Sequence, residues 1–361
     1  MNKINVAIVG VGNCCSALVQ GVRYYAESKS KRNFGLMSMR VGRYRISDIE
    51  FVAAIDVNSD KVGRDLSDAI FLSPNNTPKF KEVPKIGVTV RKGPLLDGLG
   101  YHSKEKVPVD SSGPVDISNL LRETRAEILV NLLPTGAVKA TRFYAKEALD
   151  AGCAFLNATP AKLATDVLWQ RKFTSARLPL VGDDIKNQVG STILHESILR
   201  MLVRRGVKID ESYQLDIGGG MESLNALERE RYWIKRKVKI KAVSSATPYK
   251  FPMVAGSSDY VEFMKNTRTS HFWVKGQYFG QAEFSLDMTL NVLEGPACAA
   301  VLVDIIRALK LAKDRRISGA PLGVCAYGFK MPPKPLPFDE AAQFFSIFAR
   351  DHRSRKGAYR Y

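Results

Sequence analysis

The N-terminal segment joins a short apolar run to a glycine-containing turn and then to a segment with helical spacing. Ile4–Val9 is rich in β-branched residues, which favours a strand. Gly10 and Gly12 follow this run, and the apolar residues of Ser16–Tyr25 recur at helical spacing. A strand, a glycine turn and a helix in this order are typical of the unit that begins a parallel sheet with helices on both faces.

The same alternation continues through the first half of the chain. Further strands are predicted at Phe51–Val57, Glu127–Leu133, Ala154–Asn157 and Leu180–Val181. Helices are predicted over Lys61–Phe71 and Thr141–Ala151, and residues 28–48 form an insertion before the second strand. Strands that alternate with helices favour right-handed crossovers and therefore a doubly wound parallel sheet.

The pattern changes after about residue 210. Phe272–Tyr278 and Glu283–Val292 alternate apolar and polar residues, which indicates antiparallel strands with one wetted face. Ala299–Lys313 has the spacing of an amphipathic helix. The predicted fold class is α/β, with a Rossmann-type doubly wound parallel sheet and a second α+β lobe that carries an open, largely antiparallel sheet.

Charge and cysteine content narrow the classes of partner and compartment. Among 361 residues, 54 Lys and Arg against 36 Asp and Glu give a net charge of +18, which favours anionic partners such as phosphorylated metabolites or nucleotides. Nucleic acid is the weaker alternative, because no nucleic-acid-binding signature is visible. The five cysteines form no CxxC pair, which favours a reducing, cytoplasmic compartment. No signal peptide or membrane span is expected.

The glycine turn is a candidate dinucleotide site. Gly10 and Gly12 allow the backbone to approach a pyrophosphate at a helix N-terminus, although Cys15 stands where the full fingerprint has a third glycine. Asp56 ends the second strand, where a carboxylate can hold ribose hydroxyls and favours NAD over NADP. The alternative is a glycine turn that binds nothing.

Two later turns are expected to line the same crevice, because ligands of doubly wound sheets lie at the carboxyl ends of the strands. The first turn is residues 131–136 and the second is residues 182–187. In the second turn, Asp183 and Asp184 lie near Lys186, and their alternative role is to cap a helix.

A run of four alternating lysines supplies concentrated positive charge: Lys235, Lys237, Lys239 and Lys241. In a helix Lys235 and Lys239 would share one face, whereas in a strand all four would. Converging ammonium groups suit a phosphate or a developing enolate. The alternative is a solvated basic face. Arg268 and Lys330 are further candidates, and the four scattered histidines leave lysine as the favoured proton-transfer residue.

Several longer stretches resemble the inositol-phosphate synthase family in its shorter archaeal and actinobacterial form. They include VAIVGVGNCCSALVQGVRYY, FVAAIDVNSDKVGRDLSDAI, NLLPTG, LVGDDIKNQVGST, LERER and AYGFKMPP. The resemblance implies conversion of glucose 6-phosphate to inositol phosphate, with NAD used and regenerated within one turnover. The implied steps are oxidation at carbon 5, enolisation, aldol closure between carbons 1 and 6, and reduction.

The resemblance also implies roles for individual residues. The cofactor-contact positions are Gly10, Gly12, Asn13, Asp56, Asp65, Leu133, Thr135, Tyr144, Asp184 and Asn187. The catalytic candidates are Lys235, Lys239, Lys330, Arg268, Asp184 and Glu222. Residues 1–200 and about 305–361 are expected to form the NAD-binding domain, and about 201–304 the catalytic and oligomerisation domain of a homotetramer. A divalent cation is possible, but no spacing identifies its ligands.

The chain departs from the family pattern at four positions. Gly220 replaces an asparagine, Glu222 and Glu294 replace aspartates, and Arg268 replaces a lysine. Arginine holds its proton, so it can stabilise charge but cannot relay a proton. Because these changes lie in the substrate half, a divergent family member that acts on another sugar phosphate is the main alternative function.

Overall fold

A computed structural model describes residues 3–28 and 34–350. Its first sheet has six parallel strands in the order β3-β2-β1-β4-β5-β6. The strands are β1 (Ile4–Val9), β2 (Ile49–Asp56), β3 (Val90–Lys92), β4 (Ile128–Asn131), β5 (Ala154–Asn157) and β6 (Leu180–Val181). This order reverses direction beside β1, which is where doubly wound sheets open a crevice for ligands.

Helices cover both faces of this sheet. They are α1 (Asn13–Glu27), α2 (Leu66–Ala69), α3 (Ile117–Glu123), α4 (Val138–Asp150) and α5 (Val167–Ser175), whereas the next helix, α6 (Ser191–Arg204), packs against the second lobe. Alternate residues of β1 enter two cores: Val6 and Ile8 pack with α1, and Ala7 and Val9 pack with α4. All residues of β4 and β5 are buried, as is usual for the inner strands of a parallel sheet.

The second sheet has four strands in the order β10-β9-β7-β8. They are β7 (Lys208–Gly218), β8 (Met253–Tyr260), β9 (Thr267–Gln277) and β10 (Glu283–Leu293). The pairs β7–β9 and β9–β10 are antiparallel, and β7–β8 is parallel. The sheet is therefore open and largely antiparallel, which confirms the predicted fold class.

Two helices follow β7 before the next strand: α7 (Met221–Asn225) and α8 (Arg229–Ser244). Helix α8 packs on β8 and on α6, and α6 packs on β7. Leu199, Val243 and Val274 form the apolar core between these helices and the sheet. The lysine run lies in α8, so its helical interpretation is correct and the strand alternative is wrong.

The chain ends with three helices, α9 (Glu294–Asp314), α10 (Leu322–Gly328) and α11 (Phe338–Ala349). Helix α9 begins directly after β10 and packs along α1, β4 and β5 of the first lobe. The domain boundary near residue 305 stays a prediction. The expected basic tail begins at Phe348, and its residues 351–361 lie outside the described residues.

The helix predicted over Lys61–Phe71 is mostly wrong. Only α2 is helical there, and residues 59–63 form turns in which Gly63 has a φ of +83°. Lys61 donates to Val11 O at 2.8 Å and to Asn75 Oδ1 at 2.9 Å, so tertiary hydrogen bonds set this segment. Within residues 3–28 and 34–350, no helix combines the length and the apolar composition that crossing a bilayer requires.

Candidate active site

A cleft of about 340 Å³ lies at the carboxyl ends of the first sheet, and the second lobe forms its other wall. It is lined by all but one of the predicted site residues. From the first lobe come Gly10, Gly12, Asn13, Asp56, Leu133, Thr135, Tyr144, Asp184 and Asn187. From the second lobe and the segment after α10 come Glu222, Lys235, Lys239, Arg268 and Lys330.

The glycine turn leaves room for a ligand at the start of α1. Gly10 has a φ of +91°, and a Cβ there would lie 2.9 Å from Leu132 O, so this position requires glycine. Gly12 precedes α1, and no described atom lies within 4 Å of where its Cβ would be. No described side chain caps α1, and its first turn holds no acidic residue. Its first amides are therefore free to bind an anion from the cleft.

The predicted ribose carboxylate, Asp56, also supports the glycine turn. It accepts hydrogen bonds from the backbone N–H groups of Val11 and Val57, each at 2.7 Å. Asp65 is the exception among the predicted cofactor contacts, because it does not line the cleft. Its carboxylate caps α2 through Ser67 and accepts from Gly87 N at 2.7 Å, so it holds a loop in place.

Other first-lobe residues line the cleft and also make hydrogen bonds that hold neighbouring segments in place. The Asn13 amide oxygen accepts from Asn76 N at 2.8 Å and from Thr77 N at 3.0 Å, which fixes the loop at residues 75–77. Burial raises the pKa of Tyr144. Thr135 donates to Glu222 through its hydroxyl and its backbone N–H, and thereby links the two walls of the cleft.

The two aspartates after β6 have different roles. Asp183 is fully buried and accepts from the backbone N–H groups of Leu163 and Ala164 and from Asn157 Nδ2, at 2.7–3.1 Å. It is therefore structural, but the capping alternative is wrong for it, because its backbone donors lie in the loop before α5 and the Asp166 side chain caps that helix. Asp184 lines the cleft, and its Oδ1 accepts from Lys330 Nζ at 3.0 Å.

Helix α8 separates the lysine run into two faces. Lys235 and Lys239 are buried and line the cleft, whereas Lys237 and Lys241 are exposed. The spacing of four residues places the first two on one side of the helix. The interpretation as a solvated basic face is correct for the exposed pair.

Lys235 lies between two carboxylates. Its Nζ is 2.8 Å from Glu222 Oε1 and 3.9 Å from Asp184 Oδ1. Burial alone would lower the pKa of Lys235, but Asp184 and Glu222 outweigh it and raise that pKa. Burial alone would raise the pKa of Glu222, but Lys235 and the bonds from Thr135 hold it at about 2. Both groups are therefore charged at neutral pH.

Among the described residues, Lys239 has one acidic partner in contact with it, Asp216, which the sequence analysis missed. Its ammonium group contacts Asp216 Oδ2, and both side chains are buried. Burial lowers the pKa of Lys239 to about 8, against the opposing attraction of Asp216. Burial lowers the pKa of Lys330 as well. Lys239 can therefore hold or release a proton near neutral pH.

The departures from the family pattern meet around Arg268. Its guanidinium lies 3.0 Å from Glu294 Oε1 and 3.1 Å from Ser223 Oγ. A Cβ on Gly220 would lie 3.7 Å from Asn13 Nδ2 and 3.8 Å from Glu294 Oε2, so there is room for a side chain. Burial would lower the pKa of Arg268, but Glu294 and other acids outweigh it and raise that pKa.

Three buried polar atoms of the cleft wall have no hydrogen-bond partner among the described residues. They are Asp184 Oδ2, Thr192 Oγ1 and Arg268 Nε. Buried polar atoms are normally satisfied, so this wall suits a ligand whose groups both donate and accept hydrogen bonds, as hydroxyl groups do. In the described part of the chain, no group of three His, Cys, Asp or Glu side chains could hold a metal ion.

The fold and cleft define a two-lobed α/β protein whose site combines a glycine turn and an open helix N-terminus with converging cations. A family model described as myo-inositol-1-phosphate synthase matches residues 190–294. The inositol-3-phosphate synthase of Mycobacterium tuberculosis is 44% identical over 343 residues, which cover 94% of each chain. That of Mycolicibacterium smegmatis is 44% identical over 354 residues, covering 96% of this chain and 98% of that one.

The chain belongs to the inositol-3-phosphate synthase family, and it is an enzyme of that family. This confirms the resemblance seen in the sequence. Among solved structures, that of Ari2 is 31% identical, with a TM-score of 0.78, and the match covers 96% of this chain and 99% of that one.

Proposed function

We propose that this protein converts D-glucose 6-phosphate to 1D-myo-inositol 3-phosphate, with NAD as a bound and regenerated cofactor. The observation that carries the proposal is the convergence of Lys235, Lys239, Lys330 and Arg268 on the cleft onto which the glycine turn opens. Oxidation, enolisation, aldol closure and reduction each build negative charge on oxygen. Preorganised cations in a buried site lower the free energy of such transition states.

The four cations have different capacities. Lys235, held between Glu222 and Asp184, stays an ammonium group and stabilises oxyanions. Arg268 keeps its proton throughout, so it can only bind and stabilise charge. Lys239, with a pKa of about 8, can give a proton to an oxygen at its Nζ and take one back. Lys330, bonded to Asp184, contributes positive charge at the same wall.

NAD supplies hydride transfer when it is bound. The residues that would hold it are the Gly10–Gly12 turn, the first amides of α1, and Asp56 at the end of β2. The empty space over Gly12 and the uncapped start of α1 support this placement.

A substitution at Gly12 tests this placement. In Gly12→Val we expect NAD to bind more weakly by about tenfold or more, because the side chain fills the space that a pyrophosphate needs. We expect the melting temperature to change little, since the φ of −96° at Gly12 suits any residue. Calorimetric titration with NAD measures the first effect. Gly21→Ala, also in open space but within α1, is the matched control and should bind NAD normally. Unchanged affinity in Gly12→Val would place the cofactor elsewhere.

The function itself is tested with purified protein, glucose 6-phosphate and NAD. The expected product is an inositol phosphate, detected by its release of phosphate on periodate oxidation. Binding of NAD without this product would favour the divergent alternative, an enzyme for another sugar phosphate. The comparisons do not favour that alternative or a nucleic-acid-binding role.

The proposal extends to assembly and location. Tyr213, Leu215 and Trp273 project from the face of the second sheet opposite the buried side chains of β7, and Tyr213 and Leu215 are 36% and 39% exposed. Exposed apolar clusters of this kind are typical of subunit interfaces. They support the proposed homotetramer, and sedimentation of the full chain as a monomer would contradict it. The proposed site of action is the cytoplasm. A divalent cation at the phosphate stays a prediction.

A further inference from the structure

A series of buried, hydrogen-bonded polar side chains leads from Lys239 into the interior of the second lobe. Asp216 is 1% exposed and does not line the cleft. One of its oxygens contacts the Lys239 ammonium group, and the other accepts from Ser270 Oγ at 2.6 Å. Gln214 Nε2 lies 3.0 Å from both carboxylate oxygens. Three side chains from β7, β9 and α8 therefore fix the orientation of this carboxylate.

This series of side chains continues from Gln214 to a buried histidine, His195. His195 Nδ1 lies 3.3 Å from Gln214 Oε1, and its Nε2 lies 2.7 Å from Ser212 Oγ. Gln214 turns its amino group toward Asp216, so its amide oxygen faces His195 Nδ1, and the Ser212 hydroxyl donates to Trp273 O at 2.8 Å. Burial lowers the pKa of His195 to about 4, so it is neutral at neutral pH. Gln214 therefore lies between the Asp216 carboxylate and an uncharged imidazole ring.

Lys239 is near one acidic side chain and two other cations. Asp216 on β7 is the acidic group in contact with it, whereas Arg268 on β9 and Lys330 after α10 oppose a positive charge there. His195 adds no charge. Burial and both cations lower the pKa of Lys239, and Asp216 opposes them. Without that carboxylate, a lysine in this position would lose its proton at a lower pH.

We infer that Asp216 is a positioning residue for the proposed reaction, which acts through Lys239 by fixing the ammonium group at the cleft wall and keeping it charged. This inference rests on the proposed function. The inference explains why β7 has polar side chains on its inner face, where a core normally has apolar ones. Asp216 itself does not line the cleft, and the cleft-lining group that its carboxylate contacts directly is Lys239.

The pH profile of Asp216→Asn tests the inference. Asparagine keeps the shape and removes the charge, so Lys239 should lose its proton at a lower pH. We expect the basic limb of kcat, with saturating glucose 6-phosphate and NAD, to move to lower pH by a unit or more. A fall of one unit in the pKa of Lys239 lowers the fraction of charged lysine by up to about tenfold at a pH near or above that pKa. The rate should therefore fall about tenfold near pH 8 and much less near pH 6. A uniform loss at every pH, with the limb unmoved, would overturn the inference.

Asp216→Glu is the conservative variant that separates position from charge. It retains the carboxylate but displaces it by one methylene, so we expect a lower rate with the basic limb at the wild-type pH. A limb that moved in this variant as far as in Asp216→Asn would also contradict the inference, since the charge is still present.

A second measurement needs no turnover. A lysine whose folded-state pKa lies below its ordinary value makes the free energy of unfolding rise with pH above that folded-state pKa. In Asp216→Asn the rise should begin at lower pH than in wild type, and it should vanish in Asp216→Asn with Lys239→Met. Urea unfolding between pH 6 and pH 9 measures it. If wild type makes no inositol phosphate, the proposed function fails, and this slope still decides the role of Asp216.

Discussion

Lys239→Ala is expected to lose turnover by on the order of 10²–10⁴-fold, while NAD binds nearly as in wild type. The lysine supplies a proton and a positive charge at the substrate side of the cleft, and the glycine turn lies on the other wall. Single-turnover kinetics with glucose 6-phosphate measures the loss, and calorimetric titration measures the affinity for NAD.

Two companion variants keep this test independent of folding. Lys237→Ala removes a lysine from the exposed face of the same helix and should retain the wild-type rate. Lys239→Ala leaves Asp216 buried without its cation, so the double variant with Asp216→Asn should recover stability without recovering turnover. A wild-type rate in Lys239→Ala would show that the buried face of α8 has no part in the chemistry.

Lys235→Ala is expected to lower the free energy of unfolding at pH 7 by about 3 kcal/mol, because Glu222 and Asp184 lose the cation between them. The loss should depend on pH. Glu222 has a folded-state pKa of about 2, below its ordinary value of 4.5. Its contribution is therefore present above pH 4.5 and disappears as pH falls toward 2. The difference between variant and wild type should shrink over that range.

Urea unfolding at pH 7, 5, 4 and 3 measures this difference. Lys237→Ala is again the control and should show a small difference that does not vary with pH. Glu222→Gln removes the same ion pair from its other side, so in that background the penalty of Lys235→Ala should vary much less between pH 7 and pH 3. A penalty in Lys235→Ala that is equal at pH 7 and pH 3 would mean that the ion pair is not its source.

Local periodicity was enough to predict much of the fold and part of the site. The strand runs of the first lobe are apolar because both faces are buried, and this leaves a clear signal in the sequence. The pairing of Lys235 with Lys239 follows from helical spacing once α8 is helical. Asp184 could be predicted because it follows a strand whose end opens on the crevice.

Asp216 could not be predicted because β7 inverts the usual alternation. Ser212, Gln214 and Asp216 point inward, while Tyr213 and Leu215 are exposed. Sequence reasoning assigns apolar residues to the core, so it places the polar residues of such a strand in water. The inversion itself was the available signal. Asp65 was predicted to contact the cofactor, but its side chain caps α2. The sequence does not separate these roles, because in both of them the carboxylate accepts hydrogen bonds.

Helix α9 has a consequence for how substrate enters. Its first residue, Glu294, bonds Arg268 in the second lobe, and the backbone N–H of Gly295 donates to Asn266 there. The rest of the helix is largely buried against α1 in the first lobe. Helix α9 therefore contacts both walls of the cleft, and we expect the walls to keep their relative position when a ligand binds. The loop at residues 94–100 also lines the cleft, and its Leu95 and Leu96 are exposed, so we expect a ligand to enter past this loop while both walls keep their places.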